Sequence, residues 1–237
     1  MLEIKHLTKS YNNEKKAVND LTLTINDGEI FGFIGHNGAG KTTTIKCCVG
    51  ILTFDEGEIL IDGISILKQP VECKKRMAYI PDNPDLYEQL TGRQYLNFIS
   101  DIYEISINDR KERIEKYSKI FEMNDRLNEI ISSYSHGMKQ KLALISAFIR
   151  KPRLLILDEP FVGLDPKSSY EVKNIMKEMC EDNCSIFFST HVLEVAEKLC
   201  DKIAIIKAGE LIAYGTMEEV KGNQSLEDVF LELVSHE

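Results

Sequence analysis

The 237-residue sequence has no apolar run approaching the ~18 residues that a membrane-spanning helix needs. Its opening, MLEIKHLTKSY, lacks the basic, apolar and small-residue regions of a secretory signal. Both absences point to a soluble, cytoplasmic protein. Positive charge is also short: 29 lysines and arginines stand against 38 acidic residues, a formal net charge of −9. That balance disfavours a broad basic surface for phosphodiester backbones or anionic lipid, so no nucleic-acid partner is expected. Lys139, Lys141, Arg150 and Lys151 read instead as a solvated helix face and linker. No internal repeat and no low-complexity linker divides the chain. The six cysteines, Cys47, Cys48, Cys73, Cys180, Cys184 and Cys200, are scattered without a disulfide framework and read as reduced, packed thiols. Cys180 and Cys184 have no second ligand pair at zinc-site spacing nearby.

At 43% hydrophobic residues the chain is long enough for a sizeable core. Alternation at Leu21, Leu23 and Ile25, followed by an Asp27-Gly28 turn and EIFGFIG, predicts strands and a hairpin at the start. Further strands are expected at Glu58–Ile61, Met77–Ile80, Leu154–Leu157, Ser185–Ser189, Lys202–Ile206 and Leu211–Tyr214. Between Leu86 and Arg150 the period lengthens: Ile107, Arg110, Ile114, Tyr117 and Phe121 fall at helical spacing. This reads as a helical subdomain inserted into an α/β core. Helices are also expected after Asp165, with Val172, Ile175, Met176 and Met179 on one face, from Leu193 to Leu199, and from Leu226 to Leu233 with Ser225 as N-cap.

GHNGAGKT, Gly35–Thr42, fits G-x4-G-K-[ST] and lies between an expected strand and helix. Glycines in this pattern let backbone N–H groups turn inward around a β-phosphate, and the helix that follows adds its positive end. The nucleotide-binding set read here is Gly35, Asn37, Gly38, Ala39, Gly40, Lys41, Thr42 and Thr43. Lys41 neutralises phosphate oxygens and the Thr42 hydroxyl ligates Mg²⁺; His36 is loop filler with no expected role. LLILDEP, Leu154–Pro160, is a buried-strand pattern ending in two carboxylates. Asp158 is expected to hold Mg²⁺ through water and Glu159 to be the general base for water attacking a γ-phosphate. The bland alternative is an acidic pair capping the next helix. The long separation of Lys41 from Asp158 leaves room for a helical insertion that a minimal GTPase core does not need.

Taken together, these motifs resemble the nucleotide-binding subunit of ATP-binding cassette (ABC) transporters, and the resemblance covers essentially the whole chain. It implies an α/β fold: a P-loop NTPase core with an N-terminal antiparallel β subdomain and an inserted α-helical subdomain. The whole chain, 1–237, is then one ABC ATPase domain, with 1–85 and 151–222 forming the β subdomain and core, 86–150 the helical signature subdomain and 223–237 a short C-terminal helix. The resemblance places Tyr11 against adenine, Asp165 of VGLD at a dimer seam, and His191 beside the γ-phosphate as a switch histidine bracing Glu159. It aligns Tyr134, Ser135, His136, Gly137 and Met138 with LSGGQ, so that Ser135, His136, Gly137 and Met138 would clamp ATP held by the other copy. Two departures stand out: His136 replaces a glycine, and Asp82 in AYIPDNP occupies the place of the Q-loop glutamine near Mg²⁺.

The resemblance implies ATP and Mg²⁺ as cofactors and ATP hydrolysis as the activity. Its partners are a second copy, or a homologous cassette, and a separate polytopic permease that would hold the protein at the inner face of the membrane. YIPDNPDLYEQLTGRQYL and the ending SLEDVFLELV look like the exporter branch that includes drug, antibiotic and lantibiotic resistance transporters. The tail after Gly222 is short for a regulatory domain. The competing classes are a soluble cassette ATPase acting on ribosomes or DNA, and an ATP-binding module without turnover. The latter would have lost Glu159 or His191, and both are present.

Overall fold

The computed structural model describes residues 1–11 and 15–235. Strands β1 (Leu2–Tyr11) and β2 (Lys15–Ile25) pair antiparallel, with Leu2 opposite Ile25 and Ile4 opposite Leu23. Their two-residue period sends Leu2, Ile4, Leu21, Leu23 and Ile25 into one core and the intervening positions toward solvent. Next come β3 (Ile30–Ile34), α1 (Lys41–Cys48), β4 (Glu56–Ile61), β5 (Ile64–Ser65), α2 (Pro70–Arg76) and β6 (Met77–Ile80). Helices α3 (Gly92–Ile102), α4 (Ile107–Ile120) and α5 (His136–Phe148) follow, with short 3-10 turns at Asn124–Arg126 and Ile131–Ser133. The chain then runs through β7 (Leu154–Asp158), α6 (Pro166–Glu181), β8 (Ser185–Thr190), α7 (Leu193–Leu199), β9 (Lys202–Lys207), β10 (Glu210–Thr216), α8 (Met217–Lys221) and α9 (Leu226–Ser235). Residues 236 and 237 of the expected C-terminal helix lie outside the described residues.

Among the described residues, one sheet has the order β2-β1-β4-β5 and a second has β10-β9-β3-β8-β7-β6. In the second, β6, β7, β8, β3 and β9 are parallel and β10 joins antiparallel at the edge. Its middle strands are buried on both faces, which is why they read as continuous apolar runs. Phe31, Phe33, Leu154, Ile156 and Phe187 face the antiparallel sheet and α1. Ile30, Ile34, Leu155, Leu157, Ile186 and Phe188 face the helical layer of α4, α5, α6, α7 and α9. Two cores therefore share one sheet. No described helix is long and apolar enough to cross a membrane.

Local signals set the helix starts. Thr91 and Gln94 form a capping box on α3, Ser106 caps α4, Asp165 caps α6 ahead of Pro166, and Ser225 accepts from Asp228 N at the head of α9. One expectation fails. The Asp27-Gly28 turn closes no hairpin, because β2 belongs to the antiparallel sheet and β3 pairs parallel with β8 and β9. The turn instead carries the chain between sheets, with Gly28 at φ 68 and its backbone close under Cys180 O. Helix α4 begins at Ile107, where the helical spacing starts; Ile107 itself is 80% exposed, whereas Ile114 and Tyr117 in the following turns are buried.

All six cysteines are free thiols, and only Cys180 escapes full burial. Burial pushes the Cys47 thiol up to about 11 and those of Cys180 and Cys184 up to about 12. At pH 8 these groups stay protonated and therefore unreactive. Titration with DTNB at pH 8 should find slow reaction in the native protein and rapid reaction of all six thiols in denaturant.

Candidate functional site

Parallel pairing brings three strand ends to one edge: Ile34 of β3 lies beside Thr190 of β8, and Asp158 of β7 beside Ser189. Ligands of open α/β sheets bind at such carboxyl ends. From Ile34 the chain turns through Gly35–Gly40 into α1. At Gly35 an added Cβ would stand 2.6 Å from Ile206 O, and at Gly40, with φ 110, it would stand 2.4 Å from Ala17 O. Only glycine fits at either place. Ala39 N donates to His36 O, and Gly209 N donates to Ala39 O, which ties the loop to the β9–β10 turn. Gly40 gives α1 no side-chain cap, leaving first-turn N–H groups and the helix's positive end for an anion.

Lys41 is 6% exposed, and its Nζ donates to Gly35 O at 2.6 Å and His36 O at 3.3 Å. The same ammonium stands 3.5 Å from Glu159 Oε1, and Glu159 Oε2 is 3.0 Å from His191 Nδ1. Glu159 has φ 50, left-handed backbone that a non-glycine residue holds only where its surroundings enforce it. One enforcing contact is Ser189 Oγ, which accepts from Glu159 N at 3.0 Å while donating to Asp158 Oδ1. Asp158 is 1% exposed and its Oδ2 has no protein partner. A buried carboxylate oxygen without a donor suits a hard divalent cation, and the Thr42 hydroxyl beside Lys41 is an oxygen donor of the same kind.

A cleft of about 230 Å³ gathers Asn37, Gly38, Gly40, Lys41, Thr42, Thr43, Asp82 and Glu159, with Ala17 and His36. Residues read separately from the GKT and DEP motifs thus line one space. Gly35 and Ala39 shape it through their backbones. Asp82 lines the cleft and also forms a local turn, Oδ1 accepting from Asn83 N at 2.9 Å. Tyr11 is half exposed, its Oη 3.5 Å from Thr43 Oγ1 in the first turn of α1.

Ser135, His136, Gly137 and Met138 do not line this cleft. Ser135 caps α5 by accepting from Met138 N. The His136 ring lies against Gly163, which has φ 78; a Cβ on Gly163 would stand 2.7 Å from His136 Cδ2. A Cβ on Gly137 would in turn meet Gly163 O at 2.8 Å. The two turns therefore interlock within one copy. Asp165 caps α6, accepting from Ser168 N and Ser168 Oγ, and its Oδ2 lies 2.8 Å from Lys141 Nζ. The Lys141 hydrogen bond, then those from Ser168, hold its carboxyl well below the usual range. Sequence reasoning missed Ser189, whose only signal is a hydroxyl ending the buried run IFFST, and gave His36 no role although its ring meets Phe230.

A family model described as ABC transporter matches residues 18–162. The chain belongs to the ABC transporter family. The ABC transporter ATP-binding protein NatA of Bacillus subtilis (strain 168) is 34% identical to this cassette over 233 residues, covering 97% of the chain and 95% of NatA. The linearmycin resistance ATP-binding protein LnrL of the same organism is 34% identical over 220 residues, 93% of this chain and 70% of LnrL. A solved ATP-binding subunit of an ABC transporter superposes with a TM-score of 0.95 at 34% identity, covering 98% of this chain and 99% of that one. The cassette is an ATP-binding ATPase subunit with the P-loop α/β fold of that family.

The interlock in this cassette is open to a double substitution. Gly163→Ala should lower unfolding stability by about 1–3 kcal/mol, combining left-handed strain with the clash against His136. Adding His136→Gly should recover the steric part and leave the strain, measured by urea denaturation.

Proposed function

We propose that the cassette powers an exporter by closing on ATP with a second copy, or a homologous cassette, and reopening after hydrolysis. The observation that carries this reading is the placement of Glu159 between Lys41 and His191 at the mouth of the phosphate loop, with the Asp158 Oδ2 oxygen unpaired behind it.

In this reading backbone N–H groups of Gly35–Gly40 and the start of α1 hold the β-phosphate, Lys41 pairs with β- and γ-oxygens, and Tyr11 covers adenine. Asp158 and Thr42 would hold Mg²⁺, with the Asp82 carboxylate lining the same cleft; the ion would supply charge neutralisation at the phosphate oxygens. Glu159 orients the attacking water and takes its proton as the bond from phosphorus to the ADP oxygen breaks. His191 keeps the Glu159 carboxylate turned toward that water and approaches the γ-phosphate. Ser135, His136, Gly137 and Met138 lie outside their own copy's cleft, which supports their use across a dimer, where the head of α5 meets the partner's γ-phosphate. Asp165 would lie at the seam. ATP contacts made only in the closed pair favour closure, and cleavage removes them.

The helical segment 86–150 would pass this motion to a separate membrane permease, with 1–85 and 151–222 as the nucleotide-holding body and 223–237 as a terminal helix. The cassette would then sit at the cytoplasmic face of the membrane. Export is favoured by the sequence patterns of the exporter branch and by the resistance role in the name of LnrL.

Glu159→Gln should bind ATP and accumulate an ATP-dependent dimer on size exclusion; a monomer with ATP would contradict the assignment of the base. Ser135→Arg should reduce turnover at least about a hundredfold while sparing nucleotide binding. Near-normal hydrolysis would remove the signature role.

A further inference from the structure

Helix α9 is joined to the phosphate loop. Leu226, Phe230 and Leu233 fall on one face of the helix; Leu226 and Phe230 are buried, whereas Leu231 on the other side is 57% exposed. Helix α9 packs against α7 and α8, and Lys221 of α8 pairs with Glu197 of α7. From this base the Phe230 ring meets the imidazole of His36 edge-on, with centroids 4.9 Å apart and planes at 65°. At the other end of α9, Lys207 Nζ donates to Val234 O at 2.8 Å. Lys207 closes β9 and leads into the turn whose Gly209 N donates to Ala39 O. The terminal helix therefore reaches the loop twice, at His36 directly and at Ala39 through the β9–β10 turn.

His36 is well placed to pass on such a contact. Its carbonyl accepts from Ala39 N at 3.1 Å, which closes the loop's own turn, and from Lys41 Nζ at 3.3 Å, which helps to seat the buried ammonium. The segment contains Gly35, Gly38 and Gly40, so its backbone has few steric limits of its own and gains order from what surrounds it. Asn37 and Gly38 face the open cleft. His36 lines the same cleft, and its ring is met by an aromatic ring carried on a helix with its own core.

We propose that Phe230 is a positioning residue for nucleotide binding: its ring holds His36 so that the His36 carbonyl keeps Ala39 and Lys41 in the phosphate-binding arrangement. The proposal rests on the reading of Gly35–Thr42 as the nucleotide's phosphate loop. Preorganising the loop removes part of the ordering cost that binding otherwise carries. The effect falls on the β-phosphate cradle, so ATP and ADP share it equally. A residue that acted only through closure of the ATP-bound pair would weaken ATP alone.

The test is fluorescence titration of the full chain with mant-ATP and mant-ADP, alongside Tm. Phe230→Leu keeps an apolar side chain and removes the ring; it should raise Kd about 3–10-fold for both nucleotides, the range expected for losing one aromatic pair. Phe230→Tyr restores the ring and should bind within about twofold of wild type. Leu226→Ala cuts into the core of α9 away from the loop and should lower Tm by more than Phe230→Leu while leaving both Kd values within about twofold. Unchanged affinity in Phe230→Leu overturns the proposal, as does equal weakening by Leu226→Ala, which would make the effect one of general stability. Lys41→Ala separates the two levels. Weak binding in Lys41→Ala with wild-type affinity in Phe230→Leu overturns the brace and leaves the phosphate loop standing, whereas unchanged binding in both overturns the loop reading and the brace together.

Discussion

The site depends on the register of three buried parallel strands. Side chains alternate faces along a strand, so a one-residue slip of β7 against β8 would exchange the two cores and carry Asp158 away from Ser189. The same slip would move Glu159, whose backbone N–H is held by that serine. The register is fixed because both faces are filled: Leu154 and Ile156 pack toward the antiparallel sheet, Leu155 and Leu157 toward the helices.

On this frame the charges at the site are few, buried and mutually arranged. Lys41 is enclosed by two carbonyl oxygens and the Glu159 carboxylate, an environment that offsets the cost of removing an ammonium from water. Asp158 has one oxygen bonded and one unpaired, and Glu159 holds strained backbone between Lys41 and His191. Unpaired donors at the start of α1 complete an anion site beside these acids. Strain and incomplete pairing gather where chemistry on a polyphosphate would use them.

Legibility in the sequence followed the range of the interactions. Gly35–Thr42 and the DEP motif stand out because their residues keep a short fixed spacing, and the structure brings both to one cleft; Val172, Ile175, Met176 and Met179 could be read because one helix face repeats locally. Ser225 was legible as a cap for the same reason. What sequence reading lost was decided between distant segments. The Asp27-Gly28 turn looks like a hairpin turn from either side, and only the parallel partners of β3 show otherwise. His36 looks like filler until α9 lays Phe230 against it. His136 fits at the head of α5 because Gly163, from another turn, leaves room for its ring.

The central claim is that each hydrolytic site is built from two copies, the phosphate loop of one and the α5 head of the other. Its most direct measurement is ATPase activity in a mixture of two variants, Lys41→Ala and Ser135→Arg, each inactive alone. A mixed pair contains one site with an intact loop facing an intact Ser135, so mixing should restore part of the wild-type rate. A mixture as inactive as its components, with mixed pairs shown to form, would contradict the account.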